Sequence, residues 1–260
     1  MEKEFDVIIV GGGPAGLFAG YFIAKHSNLR VLILEKGTFP KKRKCPMSKD
    51  NGCKSCDPCN IMCGIGGAGL FSDGKLNFIP KLGKTDFTQF MDIDQANSLI
   101  EETEAVFTEF GMDGDVFPTD IDKAKHIRKE ARKEGIELLI IKQKHLGTDH
   151  LPEYIENMMN YLVSKGVKIL TKVDAQDLII EGDKIKGIIT SKGPFYARNV
   201  ILAPGRIGAD WLVSLAKKYN IGMIQRGIEV GVRVEVLNDI MDDVTDIIYD
   251  PTFFYPDQKV

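Results

Sequence analysis

The sequence predicts an α/β protein: a Rossmann-like βαβ unit and an antiparallel β-meander form one domain, and a mixed α+β region is inserted into it. Three observations carry this. FDVIIV, GGGPAG and LFAGYFIAKHSN follow one another as apolar run, glycine turn and helical stretch, and VLILE then repeats the apolar run. Short β-rich runs separated by EGDK and SKG turns fill the stretch from Val167 to Leu202. Between these two regions the periodicity becomes helical.

The opening unit is a dinucleotide-binding fingerprint. Gly11 permits the tight turn, Gly13 lets the backbone approach a pyrophosphate, and Gly16 lets helix and strand pack closely. Pro14 and Ala15 complete the turn, and the helix start that follows faces the phosphates. Glu35, at the end of the second run, stands near the offset of the acid that binds an adenosine ribose, with Lys36 next to it. An acid there argues against a 2′-phosphate and leaves FAD and NAD open. Lys41, Lys42, Arg43 and Lys44 read as a solvated charge run, with a pyrophosphate contact by Arg43 or Lys44 as the alternative.

Four cysteines, Cys53, Cys56, Cys59 and Cys63, have the spacing C-x2-C-x2-C-x3-C, which resembles the bacterial ferredoxin run for a [4Fe-4S] cluster. In that run a proline follows the last cysteine. Here Gly64 follows Cys63, and Cys45 precedes Pro46, so Cys45 is the alternative fourth ligand. Thiolates suit iron-sulfur or zinc, and reduced or redox-active thiols remain the other reading. GIGGAGLFSDGK then supplies small residues where a flat ring system can approach the backbone, with Ser72, Asp73 and Lys75 able to address its heteroatoms.

Further on, Ile93, Ala96, Ile100, Phe107 and Phe110 share a helical spacing that Gly111 stops. A second helix follows Asp120 with Ile121, Ala124, Ile127 and Ala131 on one face, and ELLIIK reads as a strand. A third begins near Pro152, carries Ile155, Met159 and Leu162, and stops at Gly166; the pair Met158 and Met159 reads as core packing. VKIL, DLII, KGIIT and FYA are the meander, and NVILAPG ends a buried strand at Ala203, Pro204 and Gly205. In GIEVGVRVEV, Ile228, Val230, Val232, Val234 and Val236 share one face of a predicted strand, and Glu229, Arg233 and Glu235 share the other, read as a solvated surface or a cavity lining. The expected division is 1–85 with 151–219 for the nucleotide-binding domain, and 86–150 with 220–260 for the inserted, substrate-type region.

GGGPAGL, the meander and the turn at Ala203 to Gly205 resemble the glutathione-reductase-like flavoprotein superfamily, with Pro204 replacing the usual threonine. That resemblance puts the backbone of Val173 near the adenine. The cysteine loop running into GIGGAGLFSDGKLN, with KQKHLGTDHL, NVILAPGRIGADWL and GIEVGVRVEV, resembles an uncharacterised family of FAD-dependent dehydrogenases. It implies FAD, with Gly66, Gly67, Gly69, Ser72 and Asp73 near the isoalloxazine and pyrophosphate. Superfamily members carry a later Gly-Asp segment; here Gly-Asp occurs only at 114–115 and 182–183, so the chain is expected to be a truncated member.

Thirty-four Lys plus Arg against 37 Asp plus Glu give a net charge of -3, which supplies no bulk drive toward nucleic acid or anionic membrane. The N-terminus carries no signal-peptide core and no 18-residue apolar segment occurs, so a cytoplasmic enzyme is expected. Its function is expected to be transfer of a hydride or two electrons from a small substrate through FAD to NAD(P)H chemistry, a thiol or an iron-sulfur centre. Lys75 would stabilise the reduced ring, and His145 and His150 are candidate proton donors. The alternatives are a redox or metal sensor without turnover, and an NAD-binding enzyme of the thiazole-synthase type, also built on GGGPAG.

Overall fold

The computed structural model describes residues 4–48, 50, 52–112, 114–146, 150–224 and 230–255. The chain divides into two units, Met1–Ser72 with Thr148–Gln225 and Asp73–Gly147 with Arg226–Val260. The first break therefore falls between Ser72 and Asp73, ahead of the expected 85/86, because Gly66 and Gly67 pack against Gly12 and Pro14 of the first unit.

In chain order, β1 (Glu4–Val10), α1 (Pro14–His26) and β2 (Val31–Glu35) open the first unit. The second unit then contributes β3 (Lys75–Phe78), the short pair β4 (Lys81–Leu82) and β5 (Thr85–Asp86), α2 (Ile93–Glu109), β6 (Asp115–Phe117), α3 (Ile121–Lys133), β7 (Glu137–Leu139) and β8 (Lys142–His145). The first unit resumes with α4 (Leu151–Ser164), β9 (Lys168–Thr171), β10 (Ala175–Glu181), β11 (Lys184–Thr190), β12 (Gly193–Leu202) and α5 (Ala209–Lys218). Finally α6 (Asn238–Thr245) and β13 (Thr252–Phe254) belong to the second.

One six-stranded sheet, in the order β10-β11-β12-β1-β2-β9, forms the first unit. β12, β1, β2 and β9 run parallel, and β10, β11 and β12 form the antiparallel meander. FYA and NVIL, expected as separate strands, are one continuous β12. Its first half pairs with β11, Gly187 opposite Tyr196, and its second half pairs with β1, Val10 opposite Leu202. The core on one face collects Phe5, Ile8, Val10, Leu32, Leu34, Val173, Ile188 and Phe195. β2 is buried at all five positions, as a central parallel strand covered on both faces must be. In α4, Met158 is the buried methionine, alongside Tyr154, Ile155 and Leu162, while Met159 is half-buried.

In the second unit, ELLIIK is not one strand. β7 pairs with β13, whereas β8 lies between β3 and β6 in a three-stranded sheet, so the two halves join different partners. α2 and α3 are each capped by an aspartate, Asp92 and Asp120, whose side chains accept from Gln95 N and from Asp122 N and Lys123 N. The strand predicted over GIEVGVRVEV is absent at 230–236, where no described residue is in a strand; positions 225–229 lie outside the described residues.

Candidate functional site

The glycine turn sits where β1 ends between β12 and β2. Gly11 N donates to Leu34 O at 2.8 Å, and Ala203 N donates to Val10 O at 2.8 Å. Gly11 has φ +107°, and a Cβ there would collide with the Ala203 carbonyl; a Cβ on Gly16 would collide with the Gly11 carbonyl. These two glycines are required by packing. Gly13 is not: a Cβ there would meet nothing nearer than 3.7 Å, so its face of the turn is open to a ligand. Gly13 caps α1 without a side-chain hydrogen bond, Pro14 follows, and the first turn holds no acid. The free N–H groups and the positive end of the helix dipole therefore face outward uncompensated, the arrangement that holds an anion.

Glu35 is the keystone of this region. Its Oε2 accepts from Gly12 N at 2.7 Å, and its Oε1 accepts from Gly37 N at 2.7 Å and Gly64 N at 2.9 Å. A carboxylate offers about four acceptor positions; these three bonds leave one for a further donor. The same carboxylate thus ties the glycine turn, the β2 exit and the end of the cysteine loop together. Gly37 and Gly64 allow that closeness, since a Cβ on Gly37 would strike the Cys63–Gly64 backbone. The sequence points Glu35 to the ribose alone, because two of its N–H partners, Gly12 and Gly64, are set by tertiary contacts.

Arg43 corrects the reading of 41–44 as a uniformly solvated run. Lys41, Lys42 and Lys44 are exposed, but Arg43 is 4% exposed. Its guanidinium donates to the backbone carbonyls of Asn60 (2.9 Å), Ile61 (2.7 Å), Ile65 (2.9 Å) and Gly67 (2.8 Å), and lies 4.8 Å from the centre of the Phe71 ring. Burial pulls its pKa down and Glu35 opposes the shift; the group stays charged. Five donors in a planar fork suit this array of carbonyls. Arg43 shapes the loop that borders the helix start, and its hydrogen bonds are committed there.

That loop brings the second glycine stretch to the first. Gly66 N donates to Gly12 O at 2.8 Å, Ile65 N donates to Thr38 O at 3.0 Å, and a Cβ on Gly67 would lie 3.2 Å from Pro14 Cδ. Gly69 is exposed with open space around it, and Ser72 Oγ donates to Gly69 O at 2.8 Å. Gly66 and Gly67 therefore lie beside the start of α1, and Gly69 and Ser72 follow them in the unit that holds Gly11, Glu35, Val173 and the turn at Ala203 to Gly205.

A cavity of about 90 Å³ opens at the carboxyl ends of β1 and β2, lined by Val10, Gly11, Glu35, Lys36, Cys63, Val173, Asp174, Pro204 and Trp211 among others. This is the crevice where open parallel sheets take their ligands. Val173 N donates to Glu35 O at 3.0 Å. Trp211, on α5, was not singled out from the sequence; its indole N–H donates to Gln176 O at 2.8 Å, which fixes the ring against the meander. Its signal was composition, since it is the single tryptophan in the chain. A wider polar cleft of about 560 Å³ shares Lys36 and Asp174 with this cavity. Burial pulls the Lys36 pKa down, but Asp174 and Asp57, at 3.5 and 3.6 Å, outweigh it and the value is raised.

The structure does not gather the cysteines. Cys45, Cys53 and Cys56 are exposed, Cys59 is intermediate and Cys63 is buried. Among the described residues no group of three or more His, Cys, Asp or Glu side chains is placed to hold a metal. Burial first, and then Glu35, push the Cys63 thiol up to about 11, so it is protonated at neutral pH.

Asp73 and Lys75 belong to the second unit. The Asp73 carboxylate accepts from Lys75 N at 3.4 Å, and the Lys75 ammonium is ion-paired with Asp250. Lys75 lies opposite His145 in the β3/β8 register, and the His145 ring lies 4.3 Å from that of Tyr249. Nε2 of His145 and Oε1 of the neighbouring Gln143 are buried without a partner among the described residues. His150 belongs to the first unit, at the start of α4 beside Tyr154.

Three comparisons bear on this geometry. The Thi4 family model matches residues 2–40, the βαβ opening and little beyond it. A putative FAD-dependent oxidoreductase, LodB, of Marinomonas mediterranea is 44% identical over 41 residues, 16% of this chain and 11% of its own. The thiamine thiazole synthase of Pyrococcus furiosus is 21% identical over 210 residues, 81% of this chain and 56% of its own. Among solved structures, glycine oxidase from Geobacillus kaustophilus superposes with a TM-score of 0.50 at 18% identity, covering 85% of this chain and 59% of that one. The chain thus spans little more than half, or less, of the length of these proteins. None of these four is a glutathione reductase, so the likeness is held at the level of a Rossmann-type α/β fold.

Proposed function

We propose that the first unit binds FAD and that the protein is an FAD-dependent oxidoreductase acting on a small substrate. One observation carries the reading: two glycine stretches meet at an uncapped helix start whose flank holds Glu35 with one acceptor position unused. The residues fit the cofactor. N–H groups of Gly13, Ala15 and Gly16 would hold its pyrophosphate, Glu35 a ribose hydroxyl, Val173 and Trp211 the adenine side, and Gly66, Gly67, Gly69 and Ser72 the approach to its ring system. When bound, FAD would supply the acceptor of a hydride or of two electrons. The chain's own part is to bind and orient: Arg43 holds the Ile65 and Gly67 carbonyls, which fixes that loop beside the helix start. NAD(P)H is kept as a candidate electron partner. A cluster or zinc in the cysteine loop is not part of the reading, because the thiols stand in unlike environments.

A second reading is favoured by the Thi4 family match and the thiazole synthase likeness: a dinucleotide enzyme that holds NAD in the same crevice. Glu35 serves either ribose, so the protein fold does not choose between them. Denaturing the purified protein and identifying the released nucleotide by mass spectrometry decides. Released FAD with a visible flavin spectrum supports the first reading; NAD or an NAD-derived adduct replaces it with the second.

A further inference from the structure

Val230, Val232, Val234 and Val236 are 86%, 90%, 76% and 53% exposed, and Leu237 is 74% exposed. Valine at every second position is the side-chain pattern of a half-buried strand, stiff at χ1 and suited to extended backbone. No described residue from 230 to 237 belongs to a strand, and Leu237 itself has extended backbone before α6 begins at Asn238. The segment joins no ladder among the described residues, and ahead of the Leu237 carbonyl, which accepts from Ile240 N at 3.1 Å, it offers backbone groups together with an apolar face, as a sheet edge does to another strand.

Which strand fits it follows from the order of its charges. Arg233 and Glu235 lie on the face opposite the valines. In an antiparallel pair of identical segments centred on Val234, Arg233 stands opposite Glu235 of the partner subunit, and Glu235 opposite the partner's Arg233. Val232 meets the partner's Val236 twice over, and Val234 meets its own copy on the two-fold axis. Centring on Arg233 would place arginine against arginine. In-register parallel pairing would stack like charge on like charge, and a slip of one residue would put the valine face against the charged one.

We propose that Gly231–Leu237 is a self-complementary edge that pairs with the same segment of a second copy of this chain, in the register centred on Val234. The ladder is seven residues a side, so the dimer is weak and concentration-dependent.

Sedimentation velocity from about 1 µM to 1 mM, the range in which contacts below standard interface size dissociate, should show a monomer–dimer equilibrium. Arg233→Glu sets glutamate against glutamate twice and should raise the dissociation constant about tenfold; adding Glu235→Arg should restore the parent value. Val234→Lys, which meets its own copy on the axis, should leave monomer with unchanged circular dichroism. A monomer at every concentration, expected if this segment pairs with a different strand, overturns the proposal. So does a dimer indifferent to Arg233→Glu, or a double variant that does not recover.

Discussion

Replacing Glu35 by glutamine tests the keystone role without changing shape. In the better of its two orientations the amide oxygen takes the place of Oε1 and keeps Gly37 and Gly64, while an NH2 group faces the Gly12 N–H that Oε2 now accepts. One buried donor left facing another donor costs about 1–3 kcal/mol, and the two surviving bonds lose their charge assistance at about 1 kcal/mol each. The sum, about 3–5 kcal/mol, is a large share of the 5–15 kcal/mol that ordinarily holds a domain. At about 2–4 °C per kcal/mol for a unit of this size, the melting temperature should fall by about 6–20 °C. Differential scanning calorimetry of parent and Glu35→Gln, both without added nucleotide, measures it. A fall of less than about 2 °C would refute the argument that Glu35 braces three loops, and would return it to ribose contact alone.

Other outcomes follow from the same geometry. Gly16→Ala places a methyl against the Gly11 carbonyl; it should abolish retention of any dinucleotide and lower stability by a few kcal/mol, about the cost of overpacking, read by thermal melting and by the nucleotide content of the purified protein. Brief iodoacetamide treatment of the native protein at pH 8 should alkylate the exposed Cys45, Cys53 and Cys56 and spare Cys63, whose thiol is buried and shifted up to about 11; peptide mapping that finds Cys63 labelled as fast as Cys53 contradicts this. Glu104 is held below its ordinary value of 4.5: burial raises it, but hydrogen bonds and charge from Lys142 and Lys144 lower it further. A depressed carboxylate contributes stability that is present above the unfolded pKa and is lost as pH falls through the folded one, so Glu104→Gln should flatten the acid limb of a urea-midpoint profile below pH 4.5 while leaving its upper limb parallel to that of the parent.

The parts of the site that were legible are those whose cause is local. Gly11 and Gly16 are demanded by a turn of six residues, and Glu35 by its place at the end of the next strand, so spacing along the chain sufficed. The meander was legible for the same reason, although β12 proved continuous because it pairs with β11 and β1 in turn. Arg43, Gly37 and Trp211 were not, since what they do depends on carbonyls, backbone and cavity walls brought from 17 or more residues away. A basic run reads as solvated until the structure shows which member turns inward. The three-stranded sheet of β3, β6 and β8 escaped notice because its strands are short and polar, KQKH among them, and periodicity reports burial rather than pairing. The cysteine spacing, conversely, was legible as a pattern, and among the described residues its thiols are not gathered into a group of three or more ligands.

The account depends most on the crevice beside Glu35, and the single tryptophan reports on it directly. Titrating FAD into nucleotide-free protein, with Trp211 emission and the visible flavin spectrum followed together, should give quenching that saturates at one FAD per chain and a perturbed flavin band over the same range. Emission and spectrum that both stay unchanged at saturating FAD would contradict the account.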